Sequence, residues 1–182
     1  QMAKELLEKM GVDIDPNEKV FRLSMWQCQV VEITKAMSFN PKVLMLDEPT
    51  SALAAHETQK LFEAIRMLTQ AGYRPLVAHV ERYHELTKHV DRVDEICKNG
   101  AVLQMNAGSL VGGMFDSHVK WCRKLMQEGY ISMIGTDAHN TDDRAPFVKE
   151  ALAWMEKKLD PDLMEDVLYR NAEKMLRNER ID

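Results

Sequence analysis

Histidine and acidic side chains follow several of the short apolar runs of this sequence. Each run is typical of a buried strand, and each polar residue stands at or just after its carboxyl end. The residues are Asp47, Glu48, His79, Asn106, Asp137 and His139. In a parallel sheet these ends lie along one edge, where α/β proteins form their sites. Imidazole and carboxylate groups suit Mn, Fe or Zn ions, so this edge is a candidate site for a divalent metal.

The elements that must position these residues alternate between strand and helix patterns. Strands are predicted over residues 42–46, 76–78, 101–105 and 131–134. Helices are predicted over residues 2–10, 25–37, 56–70, 81–97, 116–128, 146–159 and 160–169. This alternation indicates βαβ units. The predicted fold class is therefore α/β, with four parallel strands alternating with helices and extra helices at the N- and C-termini. The pattern does not distinguish an open sheet from a half-barrel.

Several helix starts carry the residues that favour them. Ser24 is a suitable N-cap for the helix predicted from residue 25. Pro146 suits the first turn of the next-to-last long helix, and Asp160 with Pro161 caps the one after it. Asn171 is predicted to cap a last short helix. These residues set the expected boundaries of the elements around the candidate site.

Composition narrows the classes of function. The chain has 182 residues with a net charge of -5, which suits one domain and argues against nucleic acid or anionic membranes as partners. No apolar run approaches the roughly 20 residues of a membrane helix. The charged N-terminal stretch is not typical of a signal peptide. Three cysteines without a CxxC pair predict buried free thiols in a reducing, cytoplasmic compartment.

Two segments near the N-terminus, LSMWQ at residues 23–27 and VLMLDEPTSAL at residues 43–53, carry a resemblance to a known family. Residues 1 to about 70 resemble the second half of an ATP-binding cassette ATPase of the sugar-importer type. The first segment stands where that family has its signature motif. The second resembles its Walker B strand and the following D-loop. The resemblance implies that Asp47 would hold the magnesium of ATP and that Glu48 would polarise the attacking water.

Other parts of that family's site do not occur in the sequence. It contains no G-x-x-x-x-G-K-[ST] loop, whose backbone N–H groups and lysine cradle the phosphates of ATP. Met25 and Trp26 replace the signature glycines, and this bulky pair predicts a face buried in new packing. Phosphoryl transfer depends on the positioning that these parts supply. No ATP binding or hydrolysis is therefore expected, and Glu48 is expected to be an idle inherited base.

Three segments of the C-terminal half carry a second resemblance: RPLVAHVERY at residues 74–83, QMNAGSL at 104–110 and GTDAHN at 135–140. Residues from about 72 to 182 resemble the PHP-family phosphoesterases, in particular the manganese-dependent tyrosine-protein phosphatases linked to capsule polysaccharide regulation. The resemblance implies that His79, Asp137 and His139 ligate metal and that Arg82 and Arg144 bind the substrate phosphate. Arginine suits that role because its guanidinium makes two-pronged contacts with phosphate oxygens.

The second family also uses an H-x-H pair, a further histidine and a strand-end glutamate. The sequence contains no H-x-H. The strand before His79 is the one that resembles Walker B, so Glu48 or Asp47 would stand where the family has its glutamate. We therefore predict a makeshift mononuclear site in which one of these two acids joins His79, Asp137 and His139 around a divalent cation.

The two resemblances together indicate one composite α/β domain over residues 1–182, joined near residues 72–83. Its predicted function is structural: a recombined, engineered scaffold without an intact catalytic site, with residual binding of Mn or another divalent metal. The alternative is a weak metal-dependent phosphoesterase of the tyrosine-protein phosphatase type. Open strand edges left by the two fragments favour a homodimer.

Overall fold

The computed structural model of the chain describes most of its residues. They are residues 2–9, 11–41, 44–46, 62, 65–66, 68–70, 72–83, 86, 90–113, 115–142, 146 and 148–181. Three predicted site residues, Asp47, Glu48 and Arg144, lie outside these ranges. Most of the helix predicted over residues 56–70 also lies outside them, although its described positions are helical.

The described strands form a small parallel sheet. They are β1 (Leu44–Leu46), β2 (Pro75–Val77), β3 (Val102–Asn106) and β4 (Met133–Gly135). Each strand pairs in parallel with the next one along the chain, in the order β1-β2-β3-β4. The predicted α/β class, with a small open parallel sheet and many helices, is confirmed.

Helices connect and flank these strands. They are α1 (Met2–Lys9), α2 (Met25–Ser38), α3 (Val90–Lys98), α4 (Ser117–Gln127), α5 (Lys149–Lys158), α6 (Pro161–Glu165) and α7 (Asn171–Leu176). Short 3-10 turns cover Val20–Arg22, Val80–Arg82 and Ala107–Leu110. A π-helical turn over Asp166–Arg170 joins α6 to α7. Among the described helices, none has the length and apolar character that crossing a membrane requires.

The start of α2 follows from a reciprocal cap. Gln27 N–H donates to Ser24 Oγ at 3.2 Å, and Ser24 N–H donates to Gln27 Oε1 at 2.9 Å. This capping box satisfies two donors that the first turn of a helix leaves open. The predicted N-cap is confirmed. The predicted burial of the Met25 and Trp26 pair is wrong for Met25, which is 60% exposed while Trp26 is buried.

One apolar cluster contains side chains from both halves of the chain. Leu7 of α1 and Val30 of α2 belong to the same cluster as Val77 of β2 and Leu103 of β3. Leu125 of α4 belongs to it as well. The segment that resembles the transporter ATPases therefore contributes to the core on which the candidate site rests.

The helix predicted over residues 81–97 begins later than expected. The chain after β2 first makes the 3-10 turn Val80–Arg82, and the described helical positions that follow are Leu86 and α3 (Val90–Lys98). Glu81 does not open a helix, because its carboxylate is turned inward and accepts a hydrogen bond from the backbone of Asn106. A tertiary hydrogen bond thus overrides the local helical pattern.

Two C-terminal boundaries also differ from the prediction. The helix expected to open at Pro146 begins at Lys149, after a turn in which Val148 N–H donates to Pro146 O at 2.8 Å. Asn171 does not cap a separate helix, since the chain runs helically through Arg170 into α7. Its buried amide instead donates to Ser132 O at 2.9 Å, which ties α7 to the residue before β4.

Candidate functional site

The carboxyl ends of β2, β3 and β4 bring their polar residues together, as the sequence predicts. His79 lies two residues after β2, Asn106 ends β3 and Asp137 lies two residues after β4. His79 and Asp137 both adopt left-handed backbone conformations, with φ of 51° and 53°. Such conformations are uncommon for residues other than glycine and concentrate at functional sites.

Hydrogen bonds from β3 hold His79 in place. Its backbone N–H donates to Gln104 Oε1 at 2.8 Å, and its ring Nδ1 lies 2.8 Å from Asn106 Oδ1. Because the amide oxygen only accepts, Nδ1 must carry the proton and donate it. The other ring nitrogen, Nε2, lies 3.7 Å from Asp137 Oδ1.

The Asp137 carboxylate lies close to three side chains at this edge, those of His79, Arg82 and His139. Its Oδ2 forms a short ion pair with Arg82 Nη2, from the turn after β2. His139 lies beside it, with Nδ1 at 2.8 Å from the Asp137 carbonyl oxygen and 3.8 Å from Oδ1. The Asp137 side chain is 14% exposed, whereas those of Arg82 and His139 are 39% and 54% exposed. The carboxylate is therefore sheltered, while the side chains of Arg82 and His139 reach solvent.

Glu81 stabilises the same edge through hydrogen bonds to the end of β3 and the turn after it. It is buried, and its Oε1 accepts from Asn106 N–H and from Ser109 Oγ, each at 3.1 Å. Among the described residues, nothing donates to its other oxygen, Oε2. Burial raises the pKa of this carboxyl, and the hydrogen bonds that it accepts oppose the rise. Glu81 thus fixes the end of β3 relative to the turn that carries Arg82.

The structure brings together three of the predicted metal ligands, His79, Asp137 and His139, together with the predicted phosphate ligand Arg82. Their donor types fit a divalent cation. No cluster of three or more His, Cys, Asp or Glu side chains within the described part of the chain is arranged to hold a metal ion. The described residues therefore supply a partial ligand set.

Sequence reasoning assigned no role to Glu81 or Gln104 and placed Asn106 at the edge without a partner. A signal for the last two is present. Gln104 and Asn106 alternate with apolar residues along a strand that is buried throughout, so both point to one face. Buried polar residues in such a strand need partners, and here the partner is His79. Glu81 carried no such signal, because its neighbours suggest a helix.

A cavity among the described residues lies away from this edge. It measures about 310 Å³ and is enclosed by α1, α2 and the loop between them, with Leu6, Ile14 and Val31 in its lining. Its walls are mainly apolar and bring together no set of ligating or nucleophilic groups. The sheet edge, and not this cavity, is the candidate site.

Comparison with protein families decides which of the two resemblances covers more of the chain. The family described as capsular polysaccharide synthesis, CpsB/CapC, matches residues 30–177. The chain belongs to this family. The ABC transporter family matches residues 1–51, so the two matches overlap over residues 30–51, which include most of α2 and all of β1. Both resemblances stated from the sequence are confirmed.

Among the curated relatives of the chain are ATP-binding proteins of sugar import. A putative ribose/galactose/methyl galactoside import ATP-binding protein of Agrobacterium fabrum is 47% identical over 94 residues, which are 52% of this chain and 18% of that protein. A galactose/methyl galactoside import ATP-binding protein, MglA, of Pasteurella multocida is 48% identical over 70 residues, 38% of this chain and 14% of that protein. The chain thus spans less than a fifth of the length of either relative.

A solved structure matches the fold of most of the chain. It comes from a study of YwqE of Bacillus subtilis and CpsB of Streptococcus pneumoniae, described as unique metal-dependent tyrosine phosphatases. The TM-score is 0.62 at 25% sequence identity, and the match covers 81% of this chain and 61% of that one. This CpsB/CapC chain therefore spans about three fifths of that phosphatase.

Proposed function

We propose that this CpsB/CapC chain is a metal-dependent phosphoesterase of low activity that acts on phosphate monoesters of the phosphotyrosine type. The observation that carries the proposal is the pair His79 Nε2 and Asp137 Oδ1, which face each other at 3.7 Å. That separation is too long for a hydrogen bond. A divalent cation would be held there by the imidazole of His79 and the carboxylate of Asp137.

The residues that would hold the cation are His79 and Asp137, with His139 beside them. Glu48 or Asp47 remains the predicted fourth ligand. When bound, the cation lowers the pKa of a coordinated water and so supplies a nucleophile near neutral pH. His79 suits this role because its protonated Nδ1 is engaged by Asn106, which directs Nε2 toward Asp137.

Arg82 is the residue proposed to bind the substrate phosphate, with Arg144 as a predicted second contact. The guanidinium of Arg82 reaches solvent and lies against the Asp137 carboxylate. A phosphate that approaches Asp137 and a cation therefore meets a planar donor with several N–H groups. Arg82→Ala is expected to lower kcat/KM by about 10²–10³-fold, the usual cost of removing a group that stabilises developing charge.

The test is hydrolysis of p-nitrophenyl phosphate with and without added Mn²⁺, with metal content per chain measured alongside. His79→Ala and Asp137→Ala should each abolish the metal-stimulated turnover, because each removes a cation ligand. Asp162→Ala is the matched control, since Asp162 also pairs with an arginine, Arg170, on the exposed surface of α6. Turnover that survives both ligand substitutions, or that Asp162→Ala abolishes equally, contradicts the proposal.

A second candidate is the structural role predicted from the sequence, a composite scaffold over residues 1–182 without catalysis. One observation favours it: Arg82 already pairs with the Asp137 carboxylate. In that case the wild type shows no metal-dependent turnover and retains no metal. An engineered origin of the junction stays a prediction, as do a homodimer and the expectation that ATP does not bind.

A further inference from the structure

We propose that Gln104 and Asn106 are positioning residues that fix both the backbone and the ring of His79. They present its Nε2 lone pair toward Asp137 and keep the proton on Nδ1. The two side chains lie on the same face of β3, directly beside the turn that carries His79. This inference rests on the proposed function for its consequence in metal binding, but its structural part is tested separately below.

The orientation of the Gln104 amide follows from its two ends. Its nitrogen Nε2 lies 2.7 Å from the Met105 carbonyl oxygen, which can only accept a hydrogen bond. Its oxygen Oε1 lies 2.8 Å from His79 N–H, which can only donate. Reversing the amide would set acceptor against acceptor and donor against donor. The NH₂ group of Gln104 is therefore fixed on the side of β3 that faces Asn106.

Asn106 links the amide of Gln104 to the ring of His79. The fixed Gln104 NH₂ group lies 3.3 Å from Asn106 at the atom Oδ1, so that atom must be the acceptor oxygen. The same oxygen lies 2.8 Å from His79 Nδ1. The ring nitrogen must therefore donate, which places the proton of the neutral ring on Nδ1 and the lone pair on Nε2. A single chain of donors and acceptors thus selects one tautomer.

Neighbouring elements leave this pair little freedom to move. Glu81 Oε1 accepts from the backbone N–H of Asn106 and so holds the end of β3. Gly135 of β4 lies against Gln104, where an added Cβ would stand 2.6 Å from Gln104 Nε2. The hydrogen bond that His79 N–H donates to Gln104 Oε1 also anchors the backbone of His79 in its left-handed conformation, with φ of 51°.

The consequence is a tautomer that histidine does not prefer by itself. In free neutral imidazole side chains the proton resides mainly on Nε2, which would place an N–H where the cation has to bind. The protein therefore has to supply the preference, and second-shell hydrogen bonds of this kind typically change metal affinity by about 10–100-fold.

The decisive measurement is the tautomer of His79 in the metal-free protein, read from ¹⁵N chemical shifts and long-range ¹H–¹⁵N couplings at a pH where the ring is neutral. Wild type is expected to show the Nδ1–H form. Asn106→Ala should shift His79 toward the Nε2–H form. Asn171→Ala is the matched control, because it removes another buried amide, one bonded to Ser132 O, and should leave His79 unchanged. An Nε2–H ring in wild type, or no shift in Asn106→Ala, overturns the inference.

Two further variants guard against a loss of folding in Asn106→Ala. Asn106→Asp keeps an acceptor oxygen in place and should retain the Nδ1–H form. Gln104→Met removes the donor that orients Asn106 and should give a mixture of both forms, since the Asn106 amide can then reverse. A complete Nδ1–H population in Gln104→Met, or its loss in Asn106→Asp, counts against the inference even when the alanine variant does not fold.

Metal affinity separates this inference from the proposed function. With Mn²⁺ alone as the probe, Asn106→Ala should bind about 10–100-fold more weakly than wild type or Asn171→Ala. If wild type binds no Mn²⁺, the proposed function fails while the tautomer measurement still decides the positioning roles. If wild type binds Mn²⁺ and Asn106→Ala binds it equally well, the positioning roles fail and the metal site stands.

Discussion

The three cysteines of this chain differ in how far water reaches them. Cys122 is fully buried and Cys97 is half-buried, and burial raises the pKa of Cys122 to about 12 and that of Cys97 to about 11. Cys28 is also half-buried, near the start of α2. Because the thiolate is the reactive form, the first two thiols should be nearly inert at pH 8.

Titration with Ellman's reagent at pH 8 is therefore expected to show at most one fast thiol in the folded protein and three after unfolding in guanidinium. Cys28→Ser should remove the fast phase and serves as the assignment control. Rapid modification of the native Cys28→Ser variant would show that water reaches Cys97 or Cys122 more freely than the structure indicates.

The raised thiol pKa values also give a sign for the dependence of stability on pH. An unfolded thiol titrates near 9.0, well below the folded values of about 11 and 12. Folding therefore keeps the protons on these thiols. Their contribution to the free energy of unfolding is complete below pH 9 and is lost as the pH rises through 11 and 12. Urea unfolding at pH 8 and pH 10.5 should show the loss, and Cys122→Ala should reduce it.

At the level of single residues, the sequence pointed to the candidate ligands at the sheet edge but not to most of the groups that support them. His79 and Asp137 stand at strand ends and also carry the family resemblance, so both routes point to them, whereas Arg82 was predicted from the resemblance alone. Glu81 was missed because its partners, Asn106 and Ser109, are 25 and 28 residues away in the chain. A hydrogen bond between distant segments leaves no local pattern.

Among the elements, α2 allows the contribution of its N-cap residue, Ser24, to the stability of the protein to be measured. Ser24→Ala removes the hydroxyl that accepts from Gln27 N–H and should cost about 0.5–2 kcal/mol of stability. In a protein of this size that corresponds to a fall in Tm of roughly 2–4 °C per kcal/mol. Ser38→Ala is the control, since its hydroxyl donates to Lys35 O at the other end of the helix and caps no N–H. Equal losses in the two variants would contradict the importance of the capping box.

Element types were predictable from the sequence, whereas several boundaries were not. Strands and helices alternate with clear periods, which is why the α/β class and the parallel sheet could be predicted. The shift of β4 from residues 131–134 to Met133–Gly135 reflects a tertiary choice: Ser132 N–H donates to Leu103 O before the strand pairs with Gln104 and its successors. Pairing with β3, and not local hydrophobicity, sets where β4 begins.

For the whole molecule, the shared core predicts that both parts unfold together. Ile33 of α2 lies in the same apolar cluster as Trp121 of α4. In a Trp26→Phe background, fluorescence reports only Trp121 and Trp154, which are both in the C-terminal part. Ile33→Ala should then lower the stability seen by fluorescence by about 2–5 kcal/mol.

The matched control for this experiment is Glu32→Ala, an exposed neighbour on the same helix, which should change the stability by less than about 0.5 kcal/mol. Circular dichroism and fluorescence should give the same transition midpoint in each variant. An unchanged fluorescence midpoint in Ile33→Ala would mean that residues 1–182 do not behave as one cooperative domain.

The strand order of the sheet bears on how such a chain could arise. Each described strand after β1 lies next to the strand that precedes it in the chain. Each β–α unit therefore adds one strand to the same edge of the sheet. A recombination point between β1 and β2 would separate strands that share one set of three paired positions. Exchange of the gene segment at that point would replace the edge strand β1 and leave the arrangement of β2, β3 and β4 unchanged. Ancestral proteins with different functions can in this way contribute to one fold without a change in strand order.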